Sequence, residues 1–245
     1  KEFQAALLAI LLHDIGHGPF SHSLEHSILK DVHHEEISLI LMQELNLVFD
    51  GKLTLAIKIF TNQYKRKFFH QLVSSQLDMD RLDYLQRDCF FTGVSEGTIG
   101  GDRIIKMLDI HEDKIVVEQK GIHSIEHFLN ARRMMYWQVY RHKTAVSADG
   151  MLIQIIRRAK FLTQNKKDIQ STPNLDTFLQ TSVTKLDFSN EPMYLKTFAQ
   201  MDDADIWGSI KLWQENSDKV LSLLCKMFLD RDLFRIQFDN QEIET

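Results

Sequence analysis

Turn-forming residues and cysteine are scarce in this sequence. Only 3 prolines and 10 glycines occur among 245 residues, which disfavours a β fold rich in tight turns. The two cysteines, Cys89 and Cys225, lie far apart and define neither a disulfide framework nor a thiolate zinc motif. We therefore predict a mainly helical protein whose cysteines are buried and reduced, as in the cytoplasm.

Long hydrophobic runs and an excess of positive charge are also missing. The longest apolar run, residues 5–12, is too short to cross a bilayer and has no basic leader or cleavage site. A formal net charge of −5 disfavours a nucleic-acid coat or a polybasic membrane binder. Neither a membrane nor nucleic acid is therefore an expected partner. A small anionic substrate is compatible with this charge, because a local basic pocket can occur on an acidic protein.

Apolar periodicity predicts an all-α fold with a polar loop at 164–175. Alternation over residues 114–118 predicts a small β-hairpin that ends at Gly121. The predicted helices are 3–14, 21–29 (capped by Ser21), 34–45, 53–62, 64–73, 78–89, 102–108, 122–143, 145–163, 194–198, 202–214 and 217–229. We expect a core over residues 1–163 and a mostly helical lobe over 164–245. Residues 1–12 have the pattern of the middle of a helix, and residues 234–238 resemble the start of a strand. We therefore expect the sequence to be truncated at both ends.

Histidines cluster near the start of the chain, with six of the 11 between His13 and His34. His13 and Asp14 are adjacent at a predicted helix end, where a glycine break allows both side chains to approach one point. Mixed nitrogen and oxygen ligands suit a borderline divalent ion. His17 follows His13 by four residues and lies near the same ion if helical geometry persists. A single histidine usually caps, packs or faces solvent, but this clustering favours a site.

A second pattern occupies the predicted helix over residues 78–89. Its apolar face is predicted to be core and comprises Met79, Leu82 and Cys89. Asp80, Tyr84 and Asp88 are spaced four apart and form a polar stripe beside it. Asp80 can complete a metal site, while the other two can contact a sugar or a base; the alternative is a solvated face. Asp83 and Arg87 are better explained as a surface ion pair.

A third pattern places Arg132, Tyr136 and Tyr140 on one helical face. An arginine beside two tyrosines can bind phosphate and stack on, or hydrogen-bond to, a nucleoside. The alternative is a helix with core aromatics and a solvated basic side, and the residues alone do not choose between these interpretations.

Together these motifs resemble those of the HD superfamily, and the longer pattern is similar to its dNTP triphosphohydrolase branch. The matching segments are 13–22, 34–35, 77–88 and 140–143. The resemblance implies an HD-domain helical bundle that hydrolyses a dNTP to a deoxynucleoside and triphosphate. It also implies one divalent ion (Mn, Fe, Mg, Ni, Co or Zn), a homo-oligomer in the cytoplasm and an effector nucleotide as a further ligand to consider.

The resemblance also assigns roles by position. The implied metal ligands are His13, Asp14 and Asp80. The implied catalytic groups around the α-phosphate are His17, His22 and His34, with Glu25 as an acidic partner. The implied phosphate-binding residues are Arg81 and Arg132, and those facing the deoxyribose are Tyr84, Asp88 and Tyr140.

Two departures from the family pattern leave alternatives open. The family's metal site starts with a further histidine one helix before the His-Asp pair, and residues 1–12 contain none. Tyr136 stands where the family often has histidine. One alternative is an HD phosphohydrolase acting on a monophosphate, a cyclic nucleotide or an alarmone. The other is a non-catalytic HD scaffold that binds nucleotides.

Overall fold

The computed structural model describes residues 1–29 and 32–237. Helices dominate this part of the chain, so the predicted all-α class is confirmed. The α-helices are α1 Glu2–Leu12, α2 Glu25–Ile28, α3 His34–Val48, α4 Thr54–Phe60, α5 Phe68–Val73, α6 Met79–Thr92, α7 Gly101–Lys106, α8 Ile122–Met135, α9 Lys143–Gln164, α10 Pro173–Gln180, α11 Lys185–Asn190, α12 Pro192–Ala199, α13 Asp203–Trp213 and α14 Lys219–Leu229. None of these described helices has the length and apolar character needed to cross a membrane.

One antiparallel hairpin is the only sheet in the described residues. A hairpin was predicted and its strand 114–118 is found, but the partner strand precedes it instead of following it toward Gly121. Its strands are β1 Leu108–His111 and β2 Lys114–Val117. The two residues between them, Glu112 and Asp113, have φ values of 48° and 60°. A two-residue turn with positive φ at both positions matches the right-handed twist of the strands it joins.

The chain divides into two compact units. The first comprises residues 1–15 and 38–142, and the second comprises 16–37 and 143–245 within the described ranges. The predicted division after residue 163 falls near the end of α9, inside the second unit, and stays a prediction.

The first unit contains two hydrophobic clusters. In one, α1 packs against α4 and α5, and the small buried side chains of Ala5 and Ala9 allow the helices to approach closely. The other joins α6, α7 and α8 around Leu85, Phe128 and Met135, each at most 1% exposed. Complete burial of one such side chain contributes about 1.5–3 kcal/mol. These clusters hold the C-terminal end of α1 and the N-terminal end of α6 in the same unit.

The second unit is organised around α9, which packs against α10 and α14. Its apolar face is completely buried at Ile155, Ile156 and Ala159. The two cysteines, one in each unit, are buried and free, as predicted.

One predicted helix, residues 122–143, is wrong over its last part. α8 ends at Met135, and residues 136–140 are π-helical before α9 begins at Lys143. The Arg141 amide donates to the Tyr136 carbonyl at 2.8 Å, five residues back. A π-turn contains more residues than an α-turn, so 3.6-residue periodicity does not detect it.

The predicted loop 164–175 is wrong from Pro173 onward, where α10 begins. Proline suits the first helical position because its missing N–H has no helical partner there. α11 was also missed, although Thr184 and Asp187 form a capping box at its start. Both helices are short, and packing of buried Phe178 and Phe188 stabilises them more than propensity does.

The predicted helix 21–29 is also partly wrong. Residues 21–23 form a 3-10 turn, and α2 starts only at Glu25. Phe20 and Ser21 have φ values of 54° and 46°, so Ser21 lies inside the turn and does not cap a helix. Residues 234–237 carry no strand, and Phe238 lies outside the described residues.

Candidate functional site

The first unit brings His13, Asp14 and Asp80 together. His13 is the residue immediately after α1, and Asp80 lies in the first turn of α6. The His13 Nε2 atom lies 3.3 Å from Asp14 Oδ1 and 3.8 Å from Asp80 Oδ1. One ligand atom from each residue lies within 4.8 Å of the other two. This mixed set of one imidazole and two carboxylates suits a divalent cation.

The ring of His13 is oriented by the end of its own helix. Its Nδ1 atom lies 2.6 Å from the Ile10 carbonyl, an acceptor that requires the proton on Nδ1. The Nε2 atom then faces the carboxylates of Asp14 and Asp80. A histidine that donates one ring N–H to a backbone carbonyl is typical of metal ligands, because that bond sets the tautomer.

Asp80 lies in an environment that disfavours its negative charge. Burial is the largest cause of its raised pKa, and Asp14 and Asp78 raise it further, while His13 and Arg81 oppose the shift. The side chains of Asp14 and Asp80 remain 49% and 35% exposed, so an ion can reach them. Mutual repulsion of close carboxylates is relieved by a bound cation, and the residues present therefore fit a divalent metal.

Asp78 anchors the start of α6. Its side chain is 2% exposed and accepts backbone N–H groups from Arg81 at 2.8 Å and Ser75 at 2.9 Å. The Arg81 guanidinium pairs with the same carboxylate and donates to the Ser75 carbonyl. Sequence reasoning missed Asp78, although an aspartate just before a helix is a usual N-cap signal. The Arg81 guanidinium, predicted to hold phosphate, is thus partly engaged inside the first unit.

The polar stripe of α6 meets the π-helical segment. The Tyr140 hydroxyl donates to Asp88 Oδ2 at 2.6 Å, and the rings of Tyr84 and Tyr140 meet edge to face with centroids 6.1 Å apart. Burial raises the pKa of both tyrosines, and the hydrogen bond to Asp88 raises that of Tyr140 further. Both hydroxyls therefore remain protonated at neutral pH. The predicted surface pair is confirmed by the ion pair between Asp83 and Arg87.

Arg132 lies beside the same aromatic group. Its guanidinium is 5.8 Å from the Tyr136 ring centroid, and its Nη1 donates to Gln76 Oε1 at 3.1 Å. The Tyr136 and Tyr140 ring centroids are 5.2 Å apart. Arg141 also lies over the Tyr136 ring, at 5.7 Å. Two cations and two tyrosines offer charge and stacking surfaces to an anionic ring-bearing ligand.

The second unit brings His17, His22 and His34 together. The rings of His17 and His34 are stacked with centroids 4.0 Å apart, and His22 meets both edge-on at 4.7 Å and 4.9 Å. His17 was expected near the metal ion only if the helix continued past His13. α1 ends at Leu12, so this condition is not met.

Glu25 connects two of these imidazoles. Its Oε1 atom accepts the His34 backbone N–H at 2.7 Å and lies 3.0 Å from His34 Nδ1, while its Oε2 lies 3.4 Å from His22 Nδ1. Burial alone would raise the pKa of Glu25, but the hydrogen bonds from His34 and His22 outweigh it and lower the pKa to about 2. His33 Nδ1 also lies 3.6 Å from Glu25, a contact that sequence reasoning did not predict. Glu25 is therefore a permanent anion at neutral pH, and it fixes the orientation of His34.

A small pocket in the second unit adjoins this cluster. His17, Glu25 and His34 share its lining with apolar side chains that include Leu24 and Phe198. At Gly18, an added Cβ would lie 3.0 Å from the Phe198 ring, so the absence of a side chain lets the ring approach the loop.

Comparison with known proteins defines the class of this chain. Residues 3–88 match the HD domain, and residues 99–185 match the HD associated region. The chain belongs to the HD-domain family.

A solved structure described as a phosphohydrolase from Bacteroides thetaiotaomicron is 52% identical, with a TM-score of 0.96 over 99% of this chain and 60% of that one. The protein YwfO of Bacillus subtilis is 34% identical over 250 residues, which cover 99% of this chain and 55% of YwfO. A Dictyostelium discoideum protein named deoxynucleoside triphosphate triphosphohydrolase SAMHD1 homolog is 24% identical over 212 residues, 78% of this chain and 40% of that protein. The chain thus spans about half the length of the relatives it matches.

Proposed function

We propose that this chain is the catalytic core of a metal-dependent phosphohydrolase that converts a dNTP and water into a deoxynucleoside and triphosphate. The observation that carries the proposal is the meeting of His13 and Asp14, which follow α1, with Asp80 in the distant helix α6. An HD domain with this ligand set supports phosphoester chemistry. The name of the Dictyostelium relative supports a dNTP as the substrate.

In this proposal His13, Asp14 and Asp80 would hold one divalent ion. Such an ion would polarise a phosphoryl oxygen and help to activate water. The Ile10 carbonyl holds the imidazole of His13 in the tautomer that this role requires. Burial of Asp80 strengthens its interaction with a cation, because electrostatic attraction increases as water is excluded.

The reaction forms a bond between the water oxygen and the α-phosphorus and breaks the bond from that phosphorus to the 5′ oxygen. The leaving deoxynucleoside takes a proton from an imidazole of His17, His22 or His34. The attacking water releases a proton to solvent, and solvent restores the proton to that imidazole. Imidazole suits this role because its ordinary pKa lies near neutral pH. The carboxylate of Glu25 accepts the proton of His34 Nδ1 and so orients that ring.

The substrate contacts proposed for the first unit come from arginine and tyrosine. Arg132 and the guanidinium N–H groups of Arg81 that do not face Asp78 neutralise the triphosphate. The side chains of Tyr84, Asp88 and Tyr140 face the deoxyribose. The Tyr140 hydroxyl is already committed to Asp88, so this pair is preorganised before a substrate binds.

A basic pocket in the second unit supports an effector nucleotide as a second ligand. Lys143, Arg231 and Arg235 line it with one acidic residue, Asp232, so cations outnumber the carboxylate. Thr144 and Ser147 also line it, at the start of the 22-residue helix α9. Backbone N–H groups at a helix N-terminus and nearby cations favour phosphate. Replacement of both arginines by alanine should abolish any activation by added nucleotide while leaving unactivated turnover intact.

Product analysis tests the proposed reaction most directly. With a dNTP and Mn²⁺, equimolar deoxynucleoside and triphosphate should appear, and release of monophosphate with pyrophosphate would contradict the assignment. His13→Ala and Asp80→Ala should abolish turnover. Asp83→Ala is the matched control, because Asp83 lies on the same helix but forms a surface pair with Arg87.

A substrate panel separates the other HD activities from this one. Deoxynucleoside monophosphates, cyclic nucleotides and alarmones should be hydrolysed much more slowly than dNTPs. Preference for any of these would replace the dNTP assignment while retaining the metal site. Loss of turnover with every substrate, together with retained nucleotide binding, would instead favour a non-catalytic scaffold.

A further inference from the structure

The loop that carries His22 has an unfavourable backbone conformation. Phe20 and Ser21 precede it, and both have positive φ values, 54° and 46°, although neither is glycine. Left-handed backbone costs a residue with a side chain about 1–2 kcal/mol, and two in succession persist only when surrounding contacts impose them. Contacts elsewhere in the second unit must therefore maintain this loop.

Helix α13 provides the first of these contacts. The Phe20 amide donates to Asp203 Oδ1 at 2.8 Å, and the Phe20 ring lies 5.7 Å from the ring of Trp207, one turn further along the same helix. Asp203 is not needed to cap α13. Asp202 and Asp205 already form the capping box there. The carboxylate of Asp203 is thus available to hold the loop.

Helix α9 provides the second contact, on the other side of His22. The Ser23 hydroxyl donates to Asp149 Oδ1 at 2.8 Å. The residues that flank the Ser21–His22 pair, Phe20 and Ser23, are consequently tied to two different helices of the second unit.

His22 itself has little packing to hold it. Its side chain is 71% exposed, compared with 19% for His34, and its Nδ1 lies a long 3.4 Å from Glu25. The direction of an exposed side chain depends mainly on the backbone that carries it. The position of the His22 ring against His17 and His34 is therefore set by the loop.

We propose that Asp203 is a positioning residue for His22, holding the loop backbone through the Phe20 amide, with Asp149 acting in the same way through Ser23. The predicted effect on turnover rests on the proposed function, in which His22 belongs to the histidine group around the α-phosphate. The effect on the geometry of His22 does not depend on any activity.

Three variants of the full chain test the proposal. Asp203→Ala removes the acceptor, so kcat should fall about tenfold to a hundredfold with KM nearly unchanged, the scale of a small misplacement of a catalytic group. Asp203→Asn retains an oxygen acceptor and should restore most of the turnover. Asp202→Ala removes the N-cap that accepts the Ala204 amide, so it should lower the melting temperature and leave kcat intact.

Nuclear magnetic resonance reports the position of His22 without any turnover. The Cε1–Hε1 signal of His22 is assigned by its loss in His22→Ala, and the spectra are recorded with Mg²⁺. The signal should move in Asp203→Ala and Ser23→Ala and stay in place in Asp203→Asn and Asp202→Ala. An unmoved signal in Asp203→Ala, or equal shifts in Asp203→Ala and Asp202→Ala, would overturn the proposal. If wild type hydrolyses no dNTP but the signal moves as expected, the proposed function fails and the positioning role of Asp203 stands.

Discussion

The Tyr140 hydroxyl donates a 2.6 Å hydrogen bond to the Asp88 carboxylate, and this bond joins the π-helical segment to α6. Both side chains come from motifs that are far apart in the sequence. Burial and the bond itself raise the pKa of Tyr140, so the hydroxyl remains a donor throughout the physiological range. In this hydrogen bond Tyr140 is the donor and Asp88 is the acceptor.

Tyr140→Phe removes this donor and should weaken catalysis more than folding. Without this bond the Tyr140 and Asp88 side chains lose their preorganised positions beside the substrate, so kcat/KM should fall roughly tenfold or more. Steady-state kinetics measure the effect. Tyr194→Phe in α12 removes a tyrosine hydroxyl from the second unit and serves as the control. Equal kinetics for the two variants would argue against a role for the Tyr140–Asp88 pair.

Asp78→Ala should be one of the most destabilising single changes in the first unit. It removes a buried N-cap and leaves the Arg81 guanidinium without its carboxylate, a loss of about 3–5 kcal/mol. Urea unfolding measures the change. Asp83→Ala breaks only the exposed pair with Arg87 and should cost less than about 1 kcal/mol. Similar losses in the two variants would show that the Asp78 pair adds nothing beyond a surface contact.

The lowered pKa of Glu25 predicts that the free energy of unfolding of the second unit decreases at acid pH. Its pKa falls from 4.5 to about 2, so its stabilising effect is complete above pH 4.5 and disappears as pH decreases toward 2. The full effect is on the order of 3 kcal/mol. Glu25→Gln should flatten this part of the stability profile, as measured by unfolding at a series of pH values. The control, Glu191→Gln, changes an exposed glutamate of the second unit that makes no capping bond to α12, and it should retain the wild-type slope.

Divalent ions should stabilise the wild-type protein through His13, Asp14 and Asp80. At about one hundred times the dissociation constant, the gain is about 2.7 kcal/mol, visible as a raised melting temperature in calorimetry. Asp80→Ala should lose this response and Asp83→Ala should keep it. A response that survives in Asp80→Ala would place the ion elsewhere. Chelation of the wild-type protein should reverse the gain.

Local sequence patterns were sufficient for much of the fold. Helical periodicity predicted α6 and α9 to within a few residues, and alternation predicted strand β2 of the hairpin. The π-helical residues 136–140 and the short helix α11 escaped because their formation depends on packing rather than on a long periodic pattern.

The candidate site, like the fold, has residues that local patterns predicted and residues that they did not. Adjacent His13 and Asp14 at a helix end, with Asp80 in a polar stripe, were sufficient to predict a metal-binding group, and the structure brings these three side chains together. Buried Asp78 was missed, because a single aspartate before a helix does not reveal which side chain will pair with it.

The sequence by itself determined the helical class, the residue types available for metal and phosphate chemistry, and the family to which the chain belongs. Only the tertiary structure decided which atoms meet: Glu25 with His34, Tyr140 with Asp88, and Asp203 with the Phe20 amide. The physical reason is that propensity and periodicity act over a few neighbouring residues. A hydrogen bond between Phe20 and Asp203 depends instead on how the helices between them pack.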